Sequence, residues 1–293
     1  MIYRVTHRTT YRYAARAVFS QHLMRLTPRQ SSAQRVLQTR VKISPEPDTL
    51  GEERDMFGNL AHVATVARPH GQLDIEAESL IERNEPSEFI AQASCPWEDA
   101  CDAALGLTGQ GPVLSAAPFA FPSEMTGSDG DIAAYARESF TPGRALLEAA
   151  ADLTARIYAD FEYVPGSTVS ETLPQQSFAR RRGVCQDFAH VMLAGLRALR
   201  VPARYVSGYL RTIPPEGQER LQGADASHAW VSVWDPVFDW VDFDPTNDVI
   251  PGIDHVTLAW GRDFADVSPV AGIVVGSGGQ TLSVGVDVVE APG

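Results

Sequence analysis

The chain has 293 residues, enough for one large domain or two ordinary ones, and its 44% hydrophobic and 21% charged composition is that of a soluble globular protein. A formal charge of -13 excludes broad binding to nucleic acid or to an anionic membrane, since both need positive potential. The three cysteines, Cys95, Cys101 and Cys185, are too few and odd for a disulfide framework, and none lies near Cys185 to complete a redox or zinc motif.

The first 84 residues read as strands. Tyr3, Val5, Tyr11 and Tyr13 open an alternating run, residues 36–43 follow it, and 62–66 and 73–77 continue the pattern beyond a turn at Asp55-Met56-Phe57-Gly58-Asn59. Short β-prone runs broken by Pro, Gly and Asp predict an antiparallel β domain over 1–84. The N-terminus lacks the apolar stretch of a signal peptide, and no apolar run approaches the roughly 20 residues of a membrane span, so a cytoplasmic protein without membrane partners is expected.

Residues 85–130 are rich in Ala, Pro and Gly, with a weak helical pattern from Trp97 to Leu107, and read as a connecting segment. Helices are predicted over 131–139 and 143–158, the second on the stripe Leu146, Leu147, Ala150, Leu153 and Ile157. A further helix from Cys185 to Arg200 rests on Phe188, Met192, Leu196 and Leu199; Gly183 allows a sharp turn before it, and Pro202 ends it. Strands follow over 201–210, 228–234 and 240–244, with a polar loop from Pro214 to Asp225 among them. The alternating run from Ile273 to Val289, broken by glycines, predicts paired C-terminal strands within a domain spanning 131–293.

Cys185 stands where that helix begins. Free backbone N–H groups and the helix dipole there favour a thiolate, and the same N–H groups can hold a developing oxyanion. Taken alone, a single cysteine is more often a small buried hydrophobe, but the preceding Arg181-Arg182-Gly183-Val184 is a poor context for a mid-core residue. His190 lies about 140° round the helix from Cys185 and reads as a structural histidine. Asp187, about 200° round, reads as a cap for the helix start.

Strand parity supplies better partners. Ala229, Val231 and Val233 share one face of their strand, leaving His228, Trp230 and Ser232 on the other. If Val241 and Phe243 pack on the same apolar side, Asp242 and Asp244 join His228 opposite, provided the register does not slip. His228 then takes the thiol proton and a carboxylate orients its far nitrogen. Asp242 shares the face, but Asp244, fixed by Pro245-Thr246 as the strand ends, is preferred. Trp230 and Trp240 read first as sheet packing, with an acyl-channel wall as the alternative. The wide spacing of Cys185, His228 and Asp244 makes no compact metal motif, so neither a metal nor another cofactor is expected.

The stretches 181–190 (RRGVCQDFAH) and 201–210 (VPARYVSGYL), with Asp225-Ala226-Ser227-His228-Ala229-Trp230 and Asp242-Phe243-Asp244-Pro245-Thr246-Asn247, resemble the bacterial transglutaminase-like family. Residues 1–84 are similar to the N-terminal β domain that accompanies its core, and 255–270 to its C-terminal continuation. The resemblance implies an α+β fold with a papain-like core, and gives Cys185 the role of nucleophile, His228 that of base and Asp244 that of orienting acid. It further implies an oxyanion contact from the Cys185 N–H, with Tyr205 or Gln186 as a second, and Trp230, Tyr205 and Gln186 as substrate-facing residues. The implied substrate is a peptide, isopeptide or glutamine amide in a peptide or protein. Hydrolysis, acyl transfer to an amine and a noncatalytic scaffold role are the three functional expectations.

Overall fold

A computed structural model describes residues 1–86, 89–109, 111–212, 226–276 and 278–291. The polar loop expected from Pro214 to Asp225 lies outside the described residues. Six strands come first: β1 (Ile2–Ala17), β2 (Phe19–Met24), β3 (Gln34–Ser44), β4 (Thr49–Arg54), β5 (Leu60–Val66) and β6 (His70–Arg83). The connecting segment holds α1 (Trp97–Leu105), closed by Gly106 at φ 76, where an added Cβ would also strike the backbone of Gly111. Then come α2 (Gly130–Ser139), α3 (Leu146–Asp160), β7 (Glu162–Tyr163), α4 (Pro174–Arg180), β8 (Arg182–Gly183) and α5 (Cys185–Ala198). Strands β9 (Ala203–Leu210), β10 (Ala226–Asp235), β11 (Asp239–Phe243) and β12 (His255–Gly261) precede α6 (Phe264–Val267), β13 (Val270–Val275) and β14 (Gln280–Glu290).

The protein is α+β. Antiparallel β11-β10-β9-β12 forms the central sheet, and α5 packs on one of its faces with α2 and α3 behind it. Phe188, Met192, Leu193 and Leu196 of α5 share one core with Ala229, Val231, Val233, Val241 and Phe243, the alternation that strand parity predicts. Among the described residues, no helix is long and apolar enough to cross a membrane.

The C-terminal strands do not pair with each other, as the alternation over 273–289 led one to expect. They complete two four-stranded sheets begun by the N-terminus, β14-β1-β6-β3 and β13-β2-β5-β4. β1 has an open edge that needs hydrogen-bond partners, and β14 supplies them from Tyr3↔Glu290 to Tyr13↔Gln280. Tyr11, Met24, Leu26, Val66 and Ile75 fill the space between these two sheets. β1 and β14, from opposite ends of the described residues, therefore lie side by side in one β unit.

That unit grips the central sheet along its edge strand β12. The Gln34 side chain, wholly buried, donates to Thr257 O (2.8 Å) and accepts from Thr257 N (3.0 Å). Asn59 does the same at Trp260, through its O (2.9 Å) and N (3.0 Å). Two amide side chains thus occupy backbone groups that an exposed edge would leave open. Tyr3, Val5, Val286 and Val288 seal the contact against Tyr209, Val256 and Leu258.

Candidate active site

Helix α5 begins at Cys185, and its first turn is held by a buried carboxylate. Asp187 accepts from Val184 N (2.8 Å), Ser177 Oγ (2.9 Å) and Thr168 Oγ1 (2.7 Å), so one side chain ties the helix start to α4 and to the loop after β7. This is the capping role its position predicts. Gly183 serves close approach, since a Cβ there would lie 2.6 Å from Asp187 Cβ. The sharp turn expected at Gly183 is made instead by Arg181, at φ 51. Its guanidinium stacks on Phe178 at 4.0 Å and on Tyr135 at 4.8 Å, within an aromatic cluster.

Cys185 is partly exposed, and its sulfur lies close enough to His228 to help raise the imidazole pKa. His228 Nε2 lies 2.7 Å from Asp244 Oδ2, which leaves Nδ1 for the sulfur. The register Val231↔Phe243 puts Asp244 level with Trp230, so His228 and Asp244 meet diagonally, one pleat apart, as β11 ends. Asp242, the alternative carboxylate, instead accepts from Trp230 Nε1 at 3.0 Å.

Asp244 is fully buried, and four donors converge on its carboxylate. Oδ2 accepts from His228, from Asn247 Nδ2 (2.7 Å) and from His255 Nε2 (3.2 Å), while Oδ1 accepts from Thr246 N (2.9 Å). Burial alone would raise its pKa, but hydrogen bonds from His228, His255 and Asn247 hold it well below the usual carboxylate range. Burial would likewise lower the His228 pKa. The hydrogen bond to Asp244, with Cys185 close by, outweighs this and raises it to about 10. His228, Asp244 and His255 place three ligand-type atoms within 4.8 Å of one another. Within that cluster both imidazoles lie at hydrogen-bond distance from Oδ2.

Two of these residues escape strand-parity reasoning. Asn247 stands in the turn after Asp244, where an Asn three residues past a strand-end Asp is a usable sign. His255 reaches Asp244 only because the sheet order brings β12 beside β9, which no local pattern discloses.

The expected substrate-facing residues are placed unevenly. Trp230 has no exposed surface: it packs edge-on to His255 at 5.3 Å and over Gly208, and supports His228 from behind rather than offering a free face. Tyr205 is nearly buried, stacks on His190 at 5.1 Å, and its phenol pKa is raised by burial and then by the nearby Cys185. Gln186 is half-buried and donates to Ser170 O (2.7 Å), fastening a loop beside the helix start. Tyr163, half-exposed and also close enough to feel the charge of Cys185, adds an aromatic ring at the open side. His190 is the structural histidine its helical position predicts: wholly buried, it accepts from Phe264 N at 3.2 Å, and burial lowers its pKa to about 4.

Comparison with known proteins identifies the family and the fold. Residues 3–82 match the bacterial transglutaminase-like N-terminal region, and 133–245 match the transglutaminase-like superfamily. An uncharacterized protein of Mycobacterium tuberculosis is 41% identical over 302 residues, covering 99% of this chain and 93% of its own. A protein-glutamine gamma-glutamyltransferase of Pseudomonas aeruginosa is 36% identical over 88 residues, which is 30% of this chain and 13% of that one. The fold of a candidate cysteine protease from Cytophaga hutchinsonii superposes with a TM-score of 0.76 at 21% identity, covering 100% of this chain and 92% of that one. The chain belongs to the transglutaminase-like superfamily and carries the bacterial transglutaminase-like N-terminal region ahead of its core.

Proposed function

We propose that the protein hydrolyses a peptide, isopeptide or glutamine amide through a thioester on Cys185. The observation that carries this reading is the His228 imidazole, held at 2.7 Å by a buried Asp244 on one side and close to the Cys185 sulfur on the other. With His228 already protonated, as its raised pKa favours, the sulfur attacks the amide carbon as the thiolate partner of that imidazolium. Charge develops on the carbonyl oxygen, within reach of the Cys185 N–H, which has no acceptor among the described residues. The C–N bond then breaks, the amine leaves with the proton from His228, and the acyl group stays on sulfur. Water, deprotonated by His228, attacks the thioester, and the thiolate is restored beside the imidazolium as the acid departs. Asp244 stays ionised throughout and stabilises the imidazolium.

The Pseudomonas relative favours a second reading, in which a primary amine replaces water as acceptor. Both readings share the acyl-enzyme. Mass spectrometry after exposure to a mixture of candidate amides should find an acyl mass on the Cys185 peptide, absent from Cys185→Ala. No adduct with any amide would overturn both readings. Adding a primary amine then separates them: free acid as the persistent product supports hydrolysis, and amide product in its place supports transfer.

A further inference from the structure

A cavity of about 670 Å³ lies away from Cys185: neither that residue nor His228 nor Asp244 lines it. It lies between the N-terminal β unit, the connecting segment and the far part of the central sheet, and its walls include Phe119, Trp240 and Trp260. Into it faces Arg204 of β9, a cation with only 8% of its surface exposed.

Arg204 is held in an unusual way. Its guanidinium lies between two indoles, 4.0 Å from the Trp240 ring and 3.7 Å from the Trp260 ring. Stacking of this kind fixes the plane of the group but leaves its in-plane N–H donors unused. Arg204 makes no hydrogen bond and no ion pair among the described residues, and its buried Nε has no acceptor. Ser232, opposite Arg204 in the register, also leaves its hydroxyl unpartnered, so the sheet does not turn a group to meet the charge. Asp242 and Asp239 attract it from a distance, and desolvation still dominates, lowering its pKa to about 9. A desolvated cation without a hydrogen-bonded counter-ion is costly, and structures normally neutralise it.

A second buried cation, Arg83, lines the same cavity. It donates from its two terminal nitrogens to backbone carbonyls, Ala33 O (3.2 Å) and Gly252 O (2.9 Å), while its buried Nε also has no partner, so it is anchored to the backbone and adds positive potential to the cavity. The two cavity carboxylates, Asp239 and Asp242, balance the two arginines in formal charge, which disfavours a dianion. One planar unpaired fork between aromatic walls suits one planar carboxylate with an apolar or aromatic body. We propose that this cavity is a binding site, separate from Cys185, for a small organic monocarboxylate, with its carboxylate on Arg204 and its apolar body against Trp240, Trp260 and Phe119.

Calorimetric titration of the full chain with 4-phenylbutyrate tests this, beside the neutral 4-phenylbutanol and inorganic phosphate. The carboxylate should bind saturably at one site, with the alcohol and phosphate weaker by about tenfold or more. Arg204→Met should abolish the preference for carboxylate over alcohol. Because Arg204 is part of the packing, Ser115→Trp provides an independent check: Ser115 is an exposed residue on the cavity wall, and an indole there should occlude it and weaken phenylbutyrate binding by a similar factor. Equal binding of acid and alcohol, phosphate binding as tight as the carboxylate, unchanged binding in Ser115→Trp, or no saturable binding by the wild type would each overturn the proposal.

Discussion

Cys185 differs from the other two cysteines in what surrounds the sulfur. Burial first, then Asp235, raises the Cys95 pKa to about 12, and burial with Asp102 does the same for Cys101. Cys185 faces an imidazole instead. Iodoacetamide near neutral pH should therefore modify Cys185 well before Cys95 or Cys101, as read by peptide mass spectrometry; equal labelling would show that the sulfur is not activated. His228→Ala should slow both alkylation and turnover, the latter by about 10²–10⁴-fold, the usual worth of a positioned general base. Asp244→Asn should leave the fold in place yet lower the His228 pKa from about 10, which the shift of its imidazole resonances with pH would report.

Elements position these groups through close contacts that admit little change. Trp230 crosses to Gly208 on the neighbouring strand, where an added Cβ would lie 2.4 Å from the indole and 2.2 Å from Val256 O. Gly208→Ala should cost about 3 kcal/mol, visible as a lower denaturation midpoint, and should disturb the His228 environment that Trp230 supports. Asp187→Ala removes a cap and leaves the Ser177 and Thr168 hydroxyls unpaired at the root of the cysteine helix. A loss of about 2 kcal/mol in chemical denaturation, with slower Cys185 labelling, is the expected result. The α5 helix, its cap and the β10–β11 faces were legible in sequence because each depends on local periodicity. Helix α4, before the cysteine, was not read, since its seven residues are too few to set up a stripe.

At the scale of the whole molecule, buried imidazoles set the response to acid. His7, wedged between Tyr209 and Thr9 at the contact of the two units, is lowered to about 4 by burial, as are His22 and His190. Between pH 6.5 and 4 the unfolded chain binds protons at these sites that the folded chain refuses, so stability falls as pH falls. Near pH 5 the slope should be on the order of 3 kcal/mol per pH unit. His228 contributes oppositely and elsewhere: raised to about 10, it stabilises fully below its unfolded value near 6.5, and that contribution disappears as pH rises through about 10. Denaturation midpoints measured from pH 7 down to 4.5 should drop steeply, and His22→Phe should flatten the profile.

The sequence by itself determined the N-terminal strands, the cysteine helix, and the shared face of His228 with Asp242 and Asp244, because side-chain period follows directly from residue order. It left the choice between the two carboxylates open on geometry. Tertiary structure decided it: the register gives Asp242 to the Trp230 indole and brings His255 and Asn247 onto Asp244. It also decided that the C-terminal strands close the N-terminal sheets, and that Arg204 and Arg83 meet in one cavity. Those outcomes depend on which open edges and buried charges lie nearest in space, and strand pairing across nearly 290 residues leaves no mark in local periodicity.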